Sequence, residues 1–215
     1  MSTPDIFKEK KFINEGTFGK VYQAKIGDKI YALKKIKVVD TEFGFPITSF
    51  REIKMLKKLE AHPNIVQLVD IVRSKSQTVY LVFEYVEFDL KKVFEQRDLI
   101  VFSKLQLKYL MRQVMEGLAF MHRKRIIHRD VKSENILVSA SAELKFADFG
   151  LARDLLPAVM NPSYTRTVCT PYYRPPEVCL KDPHYDEKVD IWSTGCVFAE
   201  FFCRMPLFRG TSELD

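Results

Sequence analysis

His128-Arg129-Asp130-Val131-Lys132-Ser133-Glu134-Asn135, followed downstream by Asp148-Phe149-Gly150, decides how this chain folds and what chemistry it can hold. Ile136-Leu137-Val138 lies between the two clusters, an apolar stretch that can keep them at a fixed separation. The first cluster brings a carboxylate, an amide and an ammonium. The second brings another carboxylate. That set suits a triphosphate with its magnesium ion: Asp148 and Asn135 for the metal, Asp130 beside an attacking hydroxyl, Lys132 for the moving phosphoryl oxygens. Phosphoryl transfer depends on placement and charge neutralisation, so acidic, amide and cationic groups must converge on one point. Asp-Phe-Gly alone reads as a turn. Eleven residues of specified chemistry in this order and spacing are far rarer.

Upstream, Asn14-Glu15-Gly16-Thr17-Phe18-Gly19-Lys20-Val21 approximates a phosphate-covering glycine loop. A loose glycine pattern also fits a dinucleotide site, but there the loop leads into a helix. Here it leads into Val21-Tyr22-Gln23-Ala24-Lys25, a Gly27-Asp28 turn, and Ile30-Tyr31-Ala32-Leu33-Lys34, which read as strand, hairpin, strand. Lys34 can reach phosphates from that strand, or it is a solvated strand lysine; Lys35 points to the opposite face. A helix is predicted from about Ser49 to Leu59, with Phe50, Ile53, Leu56 and Leu59 as its apolar side. Glu52 on that helix is either an ion-pair partner for Lys34 or the closing residue of a Ser49-x-x-Glu52 capping box. Further on, Ser103-Lys104-Leu105-Gln106 opens a helix whose Leu107, Leu110, Met111, Val114, Leu118 and Met121 recur at core spacing. The helix from Asp190 is apolar on nearly every side, through Val197, Phe198, Phe201 and Phe202, and is expected to be buried on all faces.

Taken together these segments resemble a eukaryotic protein kinase, and specifically a cyclin-dependent kinase. Pro46-Ile47-Thr48-Ser49-Phe50-Arg51-Glu52 is similar to that family's signature helix, and His62 to Val66, Leu81 to Tyr85, Asp89 to Lys92, Asp148 to Arg153 and Asp190 to Ser193 also match. The resemblance implies an α+β, bilobal fold: an antiparallel sheet with one helix over residues 1–83, a hinge at 84–89, and a mainly helical lobe over 90–215. It implies ATP and Mg2+ as cofactors. Asp130, Lys132, Lys34, Glu52 and Thr170 form the implied catalytic set, with Asn135 and Asp148 for the metal. Nucleotide contacts are implied at Ile13, Gly16, Gly19, Val21, Ala32, Lys34, Glu84, Val86, Asp89 and Leu137, the adenine being read by backbone groups of Glu84 and Val86. Phe83 stands as a bulky gatekeeper, or as plain core packing. A cyclin-like subunit is the implied partner, docking on the signature helix and turning Glu52 towards Lys34.

The segment from Asp154 to Thr170 holds Pro157, Asn161-Pro162 and several hydroxyls, and occupies the activation-loop position. Thr165 matches the activating phosphorylation site, and Arg51, Arg129 and Arg153 match the residues that receive its phosphate. Each arginine alone reads as a surface ion pair. Thr17 is the remaining inhibitory phosphorylation site, because Phe18 stands where a tyrosine is usual. Ser133 replaces the usual proline of the catalytic loop, Asn14 the first loop glycine, and Pro171-Tyr172 the usual Leu-Trp. Arg174 is retained and favours a proline after the target Ser/Thr, so Ser/Thr-Pro proteins are the implied substrates.

Composition agrees without deciding. The chain has 215 residues, 47% hydrophobic, with a formal net charge of +6. Its basic residues are interleaved with acids, which argues against direct nucleic-acid binding. No apolar run is of membrane-spanning length, so no membrane partner is expected. Cys169, Cys179, Cys196 and Cys203 lack metal-ligand spacing and read as reduced thiols, as in the cytoplasm or nucleus. The sequence stops before the last helices of the family's larger lobe, which leaves three readings open: a trimmed chain, an incomplete one, or a natural short form. An active cyclin-dependent, proline-directed kinase and a kinase-like binding module without turnover are therefore both expectations.

Overall fold

A computed structural model of the chain describes residues 10–16, 19–36, 46–59, 61–74, 78–96, 101–157, 160, 163–165 and 168–210. Thr17 lies outside the described residues. The first lobe is an antiparallel sheet with one helix: β1 (Lys10–Gly16), β2 (Gly19–Ile26), β3 (Lys29–Ile36), α1 (Ile47–Leu59), β4 (Leu68–Arg73) and β5 (Val79–Glu84). The strands order as β1-β2-β3-β5-β4. The predicted hairpin is present, Ile26 pairing with Lys29 across Gly27, whose φ of +60° suits a residue without a side chain. Gly16 pairs with Gly19 at the tip of the β1–β2 flap. A Cβ at Gly19 would stand 2.1 Å from the Lys35 carbonyl, so only glycine fits there.

The second lobe begins with β6 (Phe88–Asp89) and α2 (Leu90–Glu95). It continues through α3 (Lys104–Arg123), β7 (Ile126–Ile127), β8 (Ile136–Val138), β9 (Leu144–Phe146), β10 (Arg153–Asp154), α4 (Pro176–Cys179) and α5 (Lys188–Cys203). The Ser103 capping box forms in full, with Gln106 returning a bond to the Ser103 N–H. Leu107, Leu110, Val114, Leu118 and Met121 line the buried side of α3 as their spacing predicts. One apolar core runs from Met55 and Leu81 in the first lobe to Leu118, Phe149 and Val197 in the second.

Two expectations fail. Phe50 is 66% exposed and Ile47 71% exposed, so Phe50 does not belong to the buried side of α1. That side is Ser49, Glu52, Met55, Leu56 and Leu59, because the helix turns the Glu52 face towards the sheet to meet Lys34. The capping-box alternative fails with it: Ser49 lies inside the helix, its N–H bonded to the Pro46 carbonyl. The helix α5 is not buried all round either. Val189, Ser193, Cys196, Val197 and Phe201 face the core, while Ile191, Trp192, Phe198 and Phe202 remain exposed among the described residues.

Candidate active site

The catalytic loop is shaped by a residue outside it. Asp190, fully buried at the start of α5, accepts the backbone N–H of His128 at 2.8 Å and of Arg129 at 2.8 Å, and contacts His122 Nε2 at 2.9 Å. Those bonds hold the turn in which Arg129 adopts a φ of +67°. A single 3-10 turn, Ser133–Asn135, then returns the chain to β8, and β9 leads to Asp148 at a left-handed φ of +59°. The two carboxylates of the deciding segments thus face one cleft.

That cleft has a volume of about 360 Å3. Ile13, Gly19, Val21, Ala32 and Leu137 give it an apolar lining; Glu84, Val86 and Asp89 lie at the hinge; Lys34, Asp130, Lys132, Asn135 and Asp148 lie at its polar end. Glu52 and Phe83 also line it, together with Tyr85, Lys92 and Glu134, which sequence reasoning did not single out. Gly16 is not in the lining but closes the flap above it. A larger cleft of about 810 Å3 between Arg125, Leu155, Glu177 and Trp192 has no such convergence of catalytic-loop groups.

Lys34 Nζ donates to both oxygens of Glu52, each at 2.8 Å, and to Asp148 Oδ1 at 2.9 Å. Burial alone would pull the ammonium down, but the charges of Glu52 and Asp148 outweigh it and hold Lys34 above its ordinary value. Burial likewise works to raise Asp148, yet Lys34 wins and keeps that carboxyl below its ordinary range. For Glu52, burial and the neighbouring Asp148 raise the proton affinity while Lys34 opposes them. Both Glu52 oxygens accept from Lys34, the geometry of an ionised carboxylate.

Asp130 is held from three sides. Its Oδ2 accepts from Asn135 Nδ2 at 2.9 Å and pairs with Lys132 Nζ at 3.0 Å. Its Oδ1 accepts from the Thr170 N–H at 3.1 Å and the Thr170 hydroxyl at 3.0 Å. Lys132 also donates to the Thr170 hydroxyl at 2.8 Å, tying the catalytic loop to the segment after the activation loop. Asn135 gives its amide N–H groups to Asp130, so its carbonyl oxygen is the group left for a metal. An amide oxygen and a carboxylate oxygen are the hard donors Mg2+ takes when substrate phosphates and water complete its shell.

The protein kinase domain model matches residues 7–215. The chain belongs to the protein kinase family, in its cyclin-dependent branch. It is 44% identical over 212 residues to cell division control protein 2 homolog 3 of Trypanosoma brucei brucei, covering 98% of this chain and 67% of that protein. It is 44% identical over 230 residues to cyclin-dependent kinase C-3 of Oryza sativa subsp. japonica, covering 99% and 68%. Against cyclin-dependent kinase 12 of Caenorhabditis elegans the identity is 45% over 213 residues, 94% of this chain and 29% of the relative. The chain thus spans between about a third and two thirds of the curated relatives it matches. Among solved structures, the CAK complex from Chaetomium thermophilum bound to ATP-gamma-S superposes with a TM-score of 0.86 at 37% identity, over 95% of this chain and 64% of that one. The yeast RNA Pol II CTD kinase CTDK-1 complex gives 0.86 at 37%, over 100% and 67%.

The three arginines matched to the activating phosphate, Arg51 on α1, Arg129 in the catalytic loop and Arg153 on β10, sense one another's charge. Burial and the charges of Arg129 and Arg51 pull Arg153 down to about 10, and burial with Arg129 lowers Arg51. Arg129 is fixed by the Leu151 carbonyl, at 2.7 and 2.9 Å, and by the Tyr185 hydroxyl at 2.8 Å. Tyr185 in turn donates to the Thr165 carbonyl at 2.9 Å, which places Thr165 within one side chain of Arg129. Asp190 and Tyr185 were missed as site residues because their partners lie 62 and 56 positions away, and no local pattern records such a contact.

Proposed function

We propose that this kinase-family chain transfers the terminal phosphoryl group of ATP to Ser or Thr residues followed by proline, under the control of a cyclin-like subunit. The observation that carries the reading is the bridge of Lys34 to Glu52 and Asp148 within the cleft that also holds Asp130, Lys132 and Asn135. Lys34 is placed to hold phosphate oxygens, and Glu52 keeps it oriented and charged. Asp148 and Asn135 would hold Mg2+, which neutralises developing charge on the phosphates. Asp130 accepts the proton of the attacking hydroxyl, whose donor role the Thr170 hydroxyl takes here at 3.0 Å. Lys132 lies beside it to balance charge on the transferred group.

The proline preference is supported by Arg174. It caps the Val168 carbonyl at 2.9 Å and the Cys169 carbonyl at 3.0 Å, with Cys169 at a left-handed φ of +61°. Both carbonyls already accept from Arg174, which weakens them as acceptors for the N–H of the residue after the target, and proline has no such N–H. Ile47 and Phe50, exposed beside Glu52, offer α1 an apolar face for the partner. A phosphate on Thr165 would be received by Arg51, Arg129 and Arg153, whose mutual repulsion it would relieve.

The test is phosphotransfer to a Ser-Pro peptide, with and without cyclin, beside Asp130→Asn. Cyclin-stimulated turnover that falls by about 10²- to 10⁴-fold in the variant is expected. Nucleotide binding without turnover in the parent would make the chain a kinase-like binding module instead.

A further inference from the structure

Ser133 and Tyr173, 40 positions apart in the chain, are both buried, and their hydroxyls stand 3.0 Å from each other. The Tyr173 hydroxyl donates its one proton to Glu200 Oε1 on α5 at 2.8 Å, so its oxygen is left to accept and Ser133 is the donor. The main chain of Tyr173 is held as well, its N–H by the Thr170 carbonyl at 3.0 Å and its carbonyl by the Ser193 hydroxyl at 2.8 Å. Ser133 therefore fastens the catalytic-loop turn to a residue that is itself anchored on α5.

The backbone does not ask for serine at this position. Ser133 opens the 3-10 turn Ser133–Asn135, a first-turn place that suits proline. Lys132 before it is extended, at φ −160° and ψ 164°, as a residue preceding proline is. Proline, the usual residue of the family here, would keep the turn and lose the hydroxyl. What serine adds is the bond to Tyr173.

The surroundings of Asp130 give that bond its use. The two carboxylate oxygens accept from the Thr170 N–H, the Thr170 hydroxyl and Asn135 Nδ2, and pair with Lys132 Nζ. A carboxylate has about four lone-pair sites, so a substrate hydroxyl docks on Asp130 only as one of these donors gives way. The Thr170 donors, with Lys132 through its own bond to the Thr170 hydroxyl, tie the catalytic loop to the segment that carries Arg174. The Ser133–Tyr173 bond joins the same two segments from outside the Asp130 shell, so it persists through the exchange.

We propose that Ser133 is a positioning residue: through Tyr173 its hydroxyl keeps Asp130 aligned with the peptide-binding segment 170–174 while the substrate hydroxyl enters. The inference rests on the protein kinase reading and assigns that reaction a further residue, one that acts on the base through its neighbour.

The experiment compares the parent with Ser133→Ala, Ser133→Pro, Tyr173→Phe and the double variant Ser133→Ala with Tyr173→Phe, each with cyclin on a Ser-Pro peptide, well below its melting temperature. Ser133→Ala and Ser133→Pro should each lower kcat about fivefold, with KM for ATP and for peptide unchanged. The double variant should be no slower than Tyr173→Phe alone. Amide hydrogen exchange of residues 170–174, with peptide and a non-hydrolysable ATP analogue bound, should quicken severalfold in Ser133→Ala and Ser133→Pro. Equal kcat in the parent and Ser133→Pro, a loss confined to peptide KM, or losses that add in the double variant overturn the positioning role and leave the kinase reading standing. If the parent itself does not turn over, the kinase reading falls and exchange decides the rest: quickened exchange in Ser133→Pro upholds the tie between the two segments, and unchanged exchange overturns it.

Discussion

Lys34 is the side chain on which the cleft turns, because it touches carboxylates from both α1 and the Asp148 turn. Its raised value means that, as long as Glu52 and Asp148 are ionised, its contribution is complete below the ordinary lysine range and is lost in alkali. Asp148 is depressed, so its contribution is present above the ordinary carboxylate value and is lost as pH falls through the lower, folded one. Lys34→Met should therefore lower the melting temperature near neutrality, and the gap from the parent should shrink below about pH 4. Thermal unfolding at a series of pH values checks this; a gap that widens in acid would refute it. At the activation segment, Thr165→Ala should leave nucleotide affinity unchanged and lower peptide phosphorylation roughly tenfold relative to the phosphorylated parent. Equal activity of the two would remove the phosphate switch.

Among the elements, α1 carries two faces with different work. Its inner face is fixed by Glu52 and by Met55, Leu56 and Leu59. Its outer face leaves Ile47 and Phe50 in solvent, where each apolar side chain gains nothing from the fold. Replacing both with serine should abolish cyclin stimulation while shifting the melting temperature by less than about 2 °C. Calorimetric binding beside a thermal scan separates the two effects, and retained stimulation would move the partner off this face. Lys54 on the same helix pairs with Asp154 of β10 at 3.2 Å, and Lys58 pairs with the same carboxylate, so α1 is tethered to the activation segment as well as to the sheet.

Across the chain as a unit, one apolar core joins both lobes, while the outer side of α5 leaves Phe198 and Phe202 exposed near Met115 and Met111. Adjacent apolar side chains in water promote association. Phe198→Lys with Phe202→Lys should lower static light scattering at high concentration with unchanged circular dichroism. Unchanged scattering would show that this face does not drive association.

The residue order already specified the β2–β3 hairpin, the capped helix at Ser103, and the grouping of Asp130, Lys132, Asn135 and Asp148, because turn chemistry, capping and short spacing act locally. It left Glu52 between a cap and an ion pair, and set Phe50 on the wrong side of α1. Those questions were decided in three dimensions, where the demand for a partner to buried Lys34 turns the helix about its axis. The same holds for Asp190 and Tyr185. Their roles come from contacts between segments far apart in the chain, and such contacts form only when the core brings those segments together.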